Sequence, residues 1–204
     1  MQFTKLIPTA YFGPLKYQAL ISQYDCNIEK KEFFIKQSLR TRCNINGANG
    51  IITLKVPRAR KKSSKTLVCD IKINYDHPWQ KEHWKSIKSA YQSSPFFEYY
   101  CDDLLPFFEK KYLYLFDLNT EIQLKLIELI GIDKKINFSK SFIPYQKNDW
   151  RVTNFQSSSK TKPYEQVFSL NNKFISDLSI LDLLFNLGPE THQYLLNTDT
   201  SFKI

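Results

Sequence analysis

FIKQSLRTRCNINGANGIITLKVP, residues 34–57, is the stretch on which the reading of this chain turns. It holds Lys36, Gln37, Ser38, Arg40, Thr41, Arg42, Asn44, Asn46 and Asn49, with apolar runs on both sides. Those flanks predict two strands with a polar cluster between them. Strand side chains repeat every second residue, so Lys36, Arg40 and Arg42 would share one side of an extended segment. A guanidinium meets phosphate or carboxylate with two parallel hydrogen bonds, which makes that side suited to an anion. Asn46-Gly47 and Asn49-Gly50 tolerate positive φ and can turn the chain sharply. A β-hairpin with a solvated polar face is the plainer reading of the same residues.

The charge distribution supports the anion reading. Residues 30–65 carry eleven Lys or Arg and one acid, while the remainder holds eighteen basic and nineteen acidic residues. The whole excess of +9 therefore sits in one segment, which points to a local anionic partner and not to a generally sticky surface. Within it, 58–65 (RARKKSSK) reads as a solvated basic loop, able at most to act as an electrostatic lid. Four cysteines without a CxxC pair argue against a zinc site and a disulfide framework. No secretory leader and no membrane-spanning run are expected, and free thiols suggest a cytoplasmic protein.

Working outward, 5–13 (KLIPTAYFG) opens as a short buried strand that breaks at Pro8 to Pro14, 15–24 reads as a short amphipathic helix, and 26–35 as a second strand. This strand–helix–strand order favours a partly parallel sheet, whose carboxyl ends are where ligands gather. The alternation of 66–75 (TLVCDIKINY) predicts a half-buried strand. Asp76 and Pro78 should start a helix that puts His83 on the Trp79/Ile87 side. A further helix splits at Pro106, a third over 117–130 ends at Gly131, and 137–144 could return to the sheet. Asp177 or Ser179 caps a last helix that stops at Gly188-Pro189. The expected fold is α/β: a single domain over 1–204 with a small, partly parallel sheet, a β-hairpin insertion and packed helices in the C-terminal half.

Two residues could carry chemistry. His83 is a candidate general base, or else a core imidazole hydrogen-bonded between helices. Cys43 is a candidate nucleophile between Arg40 and Arg42, or else a small buried side chain. His77 and His83 are six residues apart and Glu82 completes no HExxH motif, so no metal is expected, and no cofactor is called for.

Longer phrases carry a resemblance. PTAYFGPLKYQALI, IEKKEFFIKQSLRTRCNINGANG, DIKINYDHPWQKEHWKSIKSAYQSSPFFEYY and LSILDLLFNLGP resemble, in order, the WbqC-like family. Cys43 stands where related sequences often carry a polar residue. The resemblance implies a place in surface-polysaccharide (O-antigen-type) biosynthesis, with glycine or acyl transfer on sugars as a suggested role. The expected function is thus a transferase acting on a phosphorylated or nucleotide-linked small molecule. Lys36, Arg40 and Arg42 would hold its phosphates, Asn44, Asn46 and Asn49 would orient the acceptor, and His83 would take a proton. The alternative is a non-catalytic protein that binds a nucleotide or glycan precursor. Nucleic acid is the weakest partner, because no RNA-binding signature accompanies the charge.

Overall fold

The structure is a computed structural model that describes residues 4–59, 65–144, 149–153, 155, 161–168 and 173–201. Strands β1 (Lys5–Ile7), β2 (Cys26–Ile28) and β5 (Ile136–Phe138) form a parallel sheet in the order β1-β2-β5. Helix α1 (Leu15–Gln23) connects the first two strands, as a parallel pair requires. Strands β3 (Arg42–Gly47) and β4 (Gly50–Lys55) form a separate antiparallel hairpin. Gly47 faces Gly50 across its turn, and Gly50 takes φ +112°, which a side chain would resist. Helices α2 (Trp79–Tyr91), α3 (Phe97–Leu104), α4 (Pro106–Glu109), α5 (Leu115–Ile130), α6 (Ile180–Leu187) and α7 (Thr191–Leu196) complete the mixed architecture that the sequence predicts.

Local chemistry sets several boundaries as expected. Pro106 has no N–H to offer the preceding turn, so α3 and α4 are separate. Gly131 adopts φ +73° and donates to the Ile127 and Glu128 carbonyls, closing α5. The Ser179 hydroxyl accepts from the Leu181 N–H at 3.3 Å and starts α6.

Other expectations need correction. Helix α1 is not amphipathic: Lys16, Gln18 and Ser22 are as buried as Leu20 and Ile21. Each polar group has an internal partner. Lys16 Nζ lies 3.5 Å from Asp177, Gln18 and Gln123 exchange amide contacts at 2.8 and 2.9 Å, and Ser22 donates to the Gln18 carbonyl. The second strand stops at Ile28, where the Glu29 carboxylate accepts from the Lys31 N–H, the Ser139 hydroxyl and the Ile143 N–H. Those contacts turn the chain before it can extend to residue 35.

Within 66–75, Ile71 and Ile73 are buried around exposed Lys72, but a 3₁₀ turn occupies Val68–Asp70. Single bridges to Phe33, Arg58 and Tyr114 replace a ladder there. Asp76 does not cap α2, because its carboxylate accepts from the Asn74 amide at 2.8 Å and Pro78 holds the cap position. Of 137–144 only the start is strand, in β5. The residues 60–64 of the expected basic lid lie outside the described residues.

Candidate functional site

The polar cluster is not extended as expected: 36–41 form tight turns, and regular strand begins only at Arg42. Gln37 has φ +56°, a left-handed conformation that a non-glycine side chain adopts only when its surroundings enforce it. The consequence is two adjoining hollows. The first, about 390 Å³, is walled by Gln37, Ser38, Arg40, Arg42, Asn44, Thr53, Arg151 and Thr153, with Ile35, Leu39, Val152 and Phe155 as apolar surface. The second, about 330 Å³, is lined by Phe34, Lys36, Gln37, Thr41, Arg42, Lys55, Val56, Pro57 and Arg58. Gln37 and Arg42 line both.

The two hollows differ in charge. Lys36, Arg42, Lys55 and Arg58 surround the second, no carboxylate lines it, and none of the four has an ion-pair partner among the described residues. Cross-strand pairing of Arg42 with Lys55 brings two of these cations together. Arg58 lies over the Phe34 ring, 5.5 Å from its centroid. Arg42 Nε is shielded from water and lacks a hydrogen-bond partner among the described residues.

The other two guanidinium groups of the first hollow, those of Arg40 and Arg151, are already engaged. Arg40 is 1% exposed and donates from Nε and Nη2 to the two oxygens of Glu32, at 2.7 and 2.6 Å. Its Nη2 also donates to the Arg151 carbonyl at 3.1 Å. Burial pushes the Glu32 carboxyl upward, and the twofold contact with Arg40 opposes that shift. Arg151 is clasped by Asp149 at 2.9 and 3.0 Å through Nε, with Glu29 3.6 Å from Nη1. Asp149 bridges to Leu6 of β1, and Glu29 is the first residue past β2. The hollow is thus anchored at the carboxyl end of the parallel sheet, where such sheets collect ligands.

Of the residues expected to bind an anion, the structure brings together Lys36, Arg42 and Asn44, and it places Arg40 in the wall as half of an ion pair. Asn46 is buried elsewhere, its amide donating to the Phe168 carbonyl and its backbone N–H to the Tyr91 hydroxyl at 3.2 Å. Asn49 sits exposed at the hairpin turn and lines neither hollow.

His83 is on the Trp79/Ile87 side of α2 as expected, but it is 6% exposed and lines neither hollow. Its Nε2 accepts from the Lys55 backbone N–H at 3.1 Å, and Nδ1 meets the Tyr11 hydroxyl at 2.9 Å. Burial holds its pKa down to about 4. Both ring nitrogens are engaged, so the base role expected of His83 has no supporting geometry. This imidazole pins α2 to the edge of β4. Cys43 is 3% exposed and burial drives its thiol far above the ordinary range, the reverse of nucleophile activation.

Lys55, Thr53, Arg151 and Thr153 were missed. The hairpin register could have revealed the first two, since a turn between Gly47 and Gly50 pairs Arg42 with Lys55 and Asn44 with Thr53. Nothing local points to Arg151 or Thr153. A larger cleft of about 660 Å³, lined by Tyr75, Trp79, Trp84 and Phe108 among others, shares no residue with either hollow. Its rings serve packing: Trp84 lies 5.3 Å from Phe108 and 6.1 Å from Phe97.

These features define an α/β protein with a polar double hollow beside the carboxyl end of a short parallel sheet. The model of the WbqC-like protein family matches residues 9–156 and 143–194, and the chain belongs to that family. No curated protein and no solved structure matches the chain. No helix among the described residues is long and apolar enough to cross a membrane.

Proposed function

We propose that this protein binds the phosphate groups of a nucleotide-linked sugar in the cationic hollow, as part of surface-polysaccharide biosynthesis. The observation that carries the reading is the convergence of Lys36, Arg42, Lys55 and Arg58 on one hollow without a described carboxylate partner. Like charges held together repel, and an anion that neutralises them relieves the repulsion. Membership of the WbqC-like family is compatible with the polysaccharide setting. Among the described residues no His, Cys, Asp or Glu lines either hollow, which favours holding an activated precursor over transferring a group from it. In a glycine- or acyl-transferring role, Lys36 and Lys55 are the groups lining these hollows that could act as proton acceptor.

Calorimetric titration with pyrophosphate, UDP and UDP-sugars tests the reading. Arg42→Ala and Arg58→Ala should each weaken binding by about 1.5–3 kcal/mol, the range for charge-assisted hydrogen bonds. Binding should also weaken as salt rises. Equal affinities in wild type and both variants would remove the phosphates from this hollow. Mass-spectrometric detection of UDP-sugar conversion with an aminoacyl or acyl donor would show an enzyme in place of a binder.

A further inference from the structure

We infer that the first hollow is the subsite for the uncharged, hydroxyl-bearing ring of the phosphorylated ligand, and that it selects against a carboxylated counterpart. The inference rests on the phosphate reading above. Gln37 and Arg42 line both hollows, so a ligand whose phosphate sits among the cations has its next group at the first hollow's wall.

Charge decides what that group is. Arg40 is held by Glu32, and Arg151 by Asp149 and Glu29, so two guanidinium groups face three carboxylates within this buried set. With Arg42 taken up by the phosphate it shares with the second hollow, a second anion on the ligand would meet guanidinium groups whose charge the three carboxylates already match. Of the unmatched cations only Arg42 also lines the first hollow, and Lys36, Lys55 and Arg58 line the neighbouring one alone.

What the first hollow offers is hydrogen bonding. Thr153 Oγ1 and Arg42 Nε are both shielded from water and have no hydrogen-bond partner among the described residues. Such groups are costly to leave unpaired, and a turn of either side chain towards the hollow would pair it with a ligand hydroxyl. Asn44 Oδ1 accepts from the Thr53 hydroxyl at 2.8 Å, which orients the side chain and leaves its NH₂ group for a ligand. Ile35, Leu39 and Val152 add apolar surface for the ring's C–H edges.

A nucleobase fits less well. Among the described residues the one aromatic ring in the wall is Phe155, which is 1% exposed and packs edge-on against Tyr17 at 5.4 Å, so it presents no open face for stacking. The strained Gln37 backbone between the hollows is consistent with a wall whose position matters to a ligand.

The test is calorimetric titration of wild type, Asn44→Ala and Thr153→Val with inorganic phosphate, pyrophosphate and four sugar phosphates. Three are neutral-ring compounds, the 1-phosphates of glucose, galactose and N-acetylglucosamine, and the fourth is glucuronic acid 1-phosphate. At least one neutral-ring compound should bind about tenfold more tightly than inorganic phosphate and than the uronic acid. Asn44→Ala and Thr153→Val should each remove most of that gain while leaving phosphate and pyrophosphate affinity unchanged. The inference is overturned if no neutral sugar exceeds phosphate, if the uronic acid binds as well, or if the gain survives both substitutions. Failure of phosphate and pyrophosphate alike to bind wild type would overturn the phosphate reading itself, and this inference with it.

Discussion

Arg40 provides the sharpest test of how this site is built. Arg40→Met removes two close contacts to Glu32, at 2.7 and 2.6 Å, and one to the Arg151 carbonyl at 3.1 Å. What remains is a carboxylate with 2% of its side chain exposed, without its hydrogen-bonded guanidinium and with only the more remote charge of Arg151 to oppose it. Breaking one side of a buried pair costs about 3–5 kcal/mol, since the surviving charge stays desolvated. That is a large share of a total stability of about 5–15 kcal/mol. With a urea dependence of about 2 kcal/mol/M, the unfolding midpoint should fall by about 1.5–2.5 M. The double change Arg40→Met/Glu32→Leu should recover most of the loss, because it removes both charges and keeps apolar volume. Urea titration followed by tryptophan fluorescence and by circular dichroism reads all three proteins. If Arg40→Met costs under about 1 kcal/mol while phosphate binding disappears, Arg40 is a ligand clamp and the wall argument fails. A double variant no more stable than the single one would refute the charge-pair reasoning in a different way, by showing that shape at Arg40 matters and charge does not.

Two further outcomes follow from buried groups elsewhere. His83 has its pKa held down to about 4 from an ordinary 6.5, so the unfolded chain takes up its proton first. Its contribution to stability is complete above pH 6.5 and should be lost as pH falls towards 4, by about 3 kcal/mol, while His83→Gln should flatten the urea midpoint across that window. Burial pushes Cys26 up to about 12 and Cys43 higher still, whereas Cys69 and Cys101 are only partly covered. A thiol-specific chromogenic reagent should therefore titrate two thiols in the native protein and four in urea, and rapid native labelling of Cys43 would contradict its placement.

How much of this was legible in the sequence depends on how local the deciding chemistry is. The Gly131 and Ser179 caps, the Pro106 break and the Gly47–Gly50 turn are each settled within a few residues, and each lies where its residue type predicts. The first helix misled because its polar residues are satisfied by distant partners: Gln18 meets Gln123, and Lys16 meets Asp177. No periodicity records an amide pair across 105 positions.

The candidate site shows the same division. Lys36, Arg42 and Asn44 were visible as polar residues on a turn-and-strand segment, but the sequence could not distinguish a free cation from a neutralised one. Arg40 and Arg42 look alike in a row of letters. The chain folds Glu32 back onto the first and leaves the Nε of the second unpartnered among the described residues. Arg151, 111 residues from Arg40, then joins the same wall with its own carboxylates. The local excess of positive charge was real, yet its placement was decided by three acids that composition counts as distant or too few. The +9 of the chain therefore does not locate an anion site, and the proposed one rests on which guanidinium groups the fold leaves unmatched.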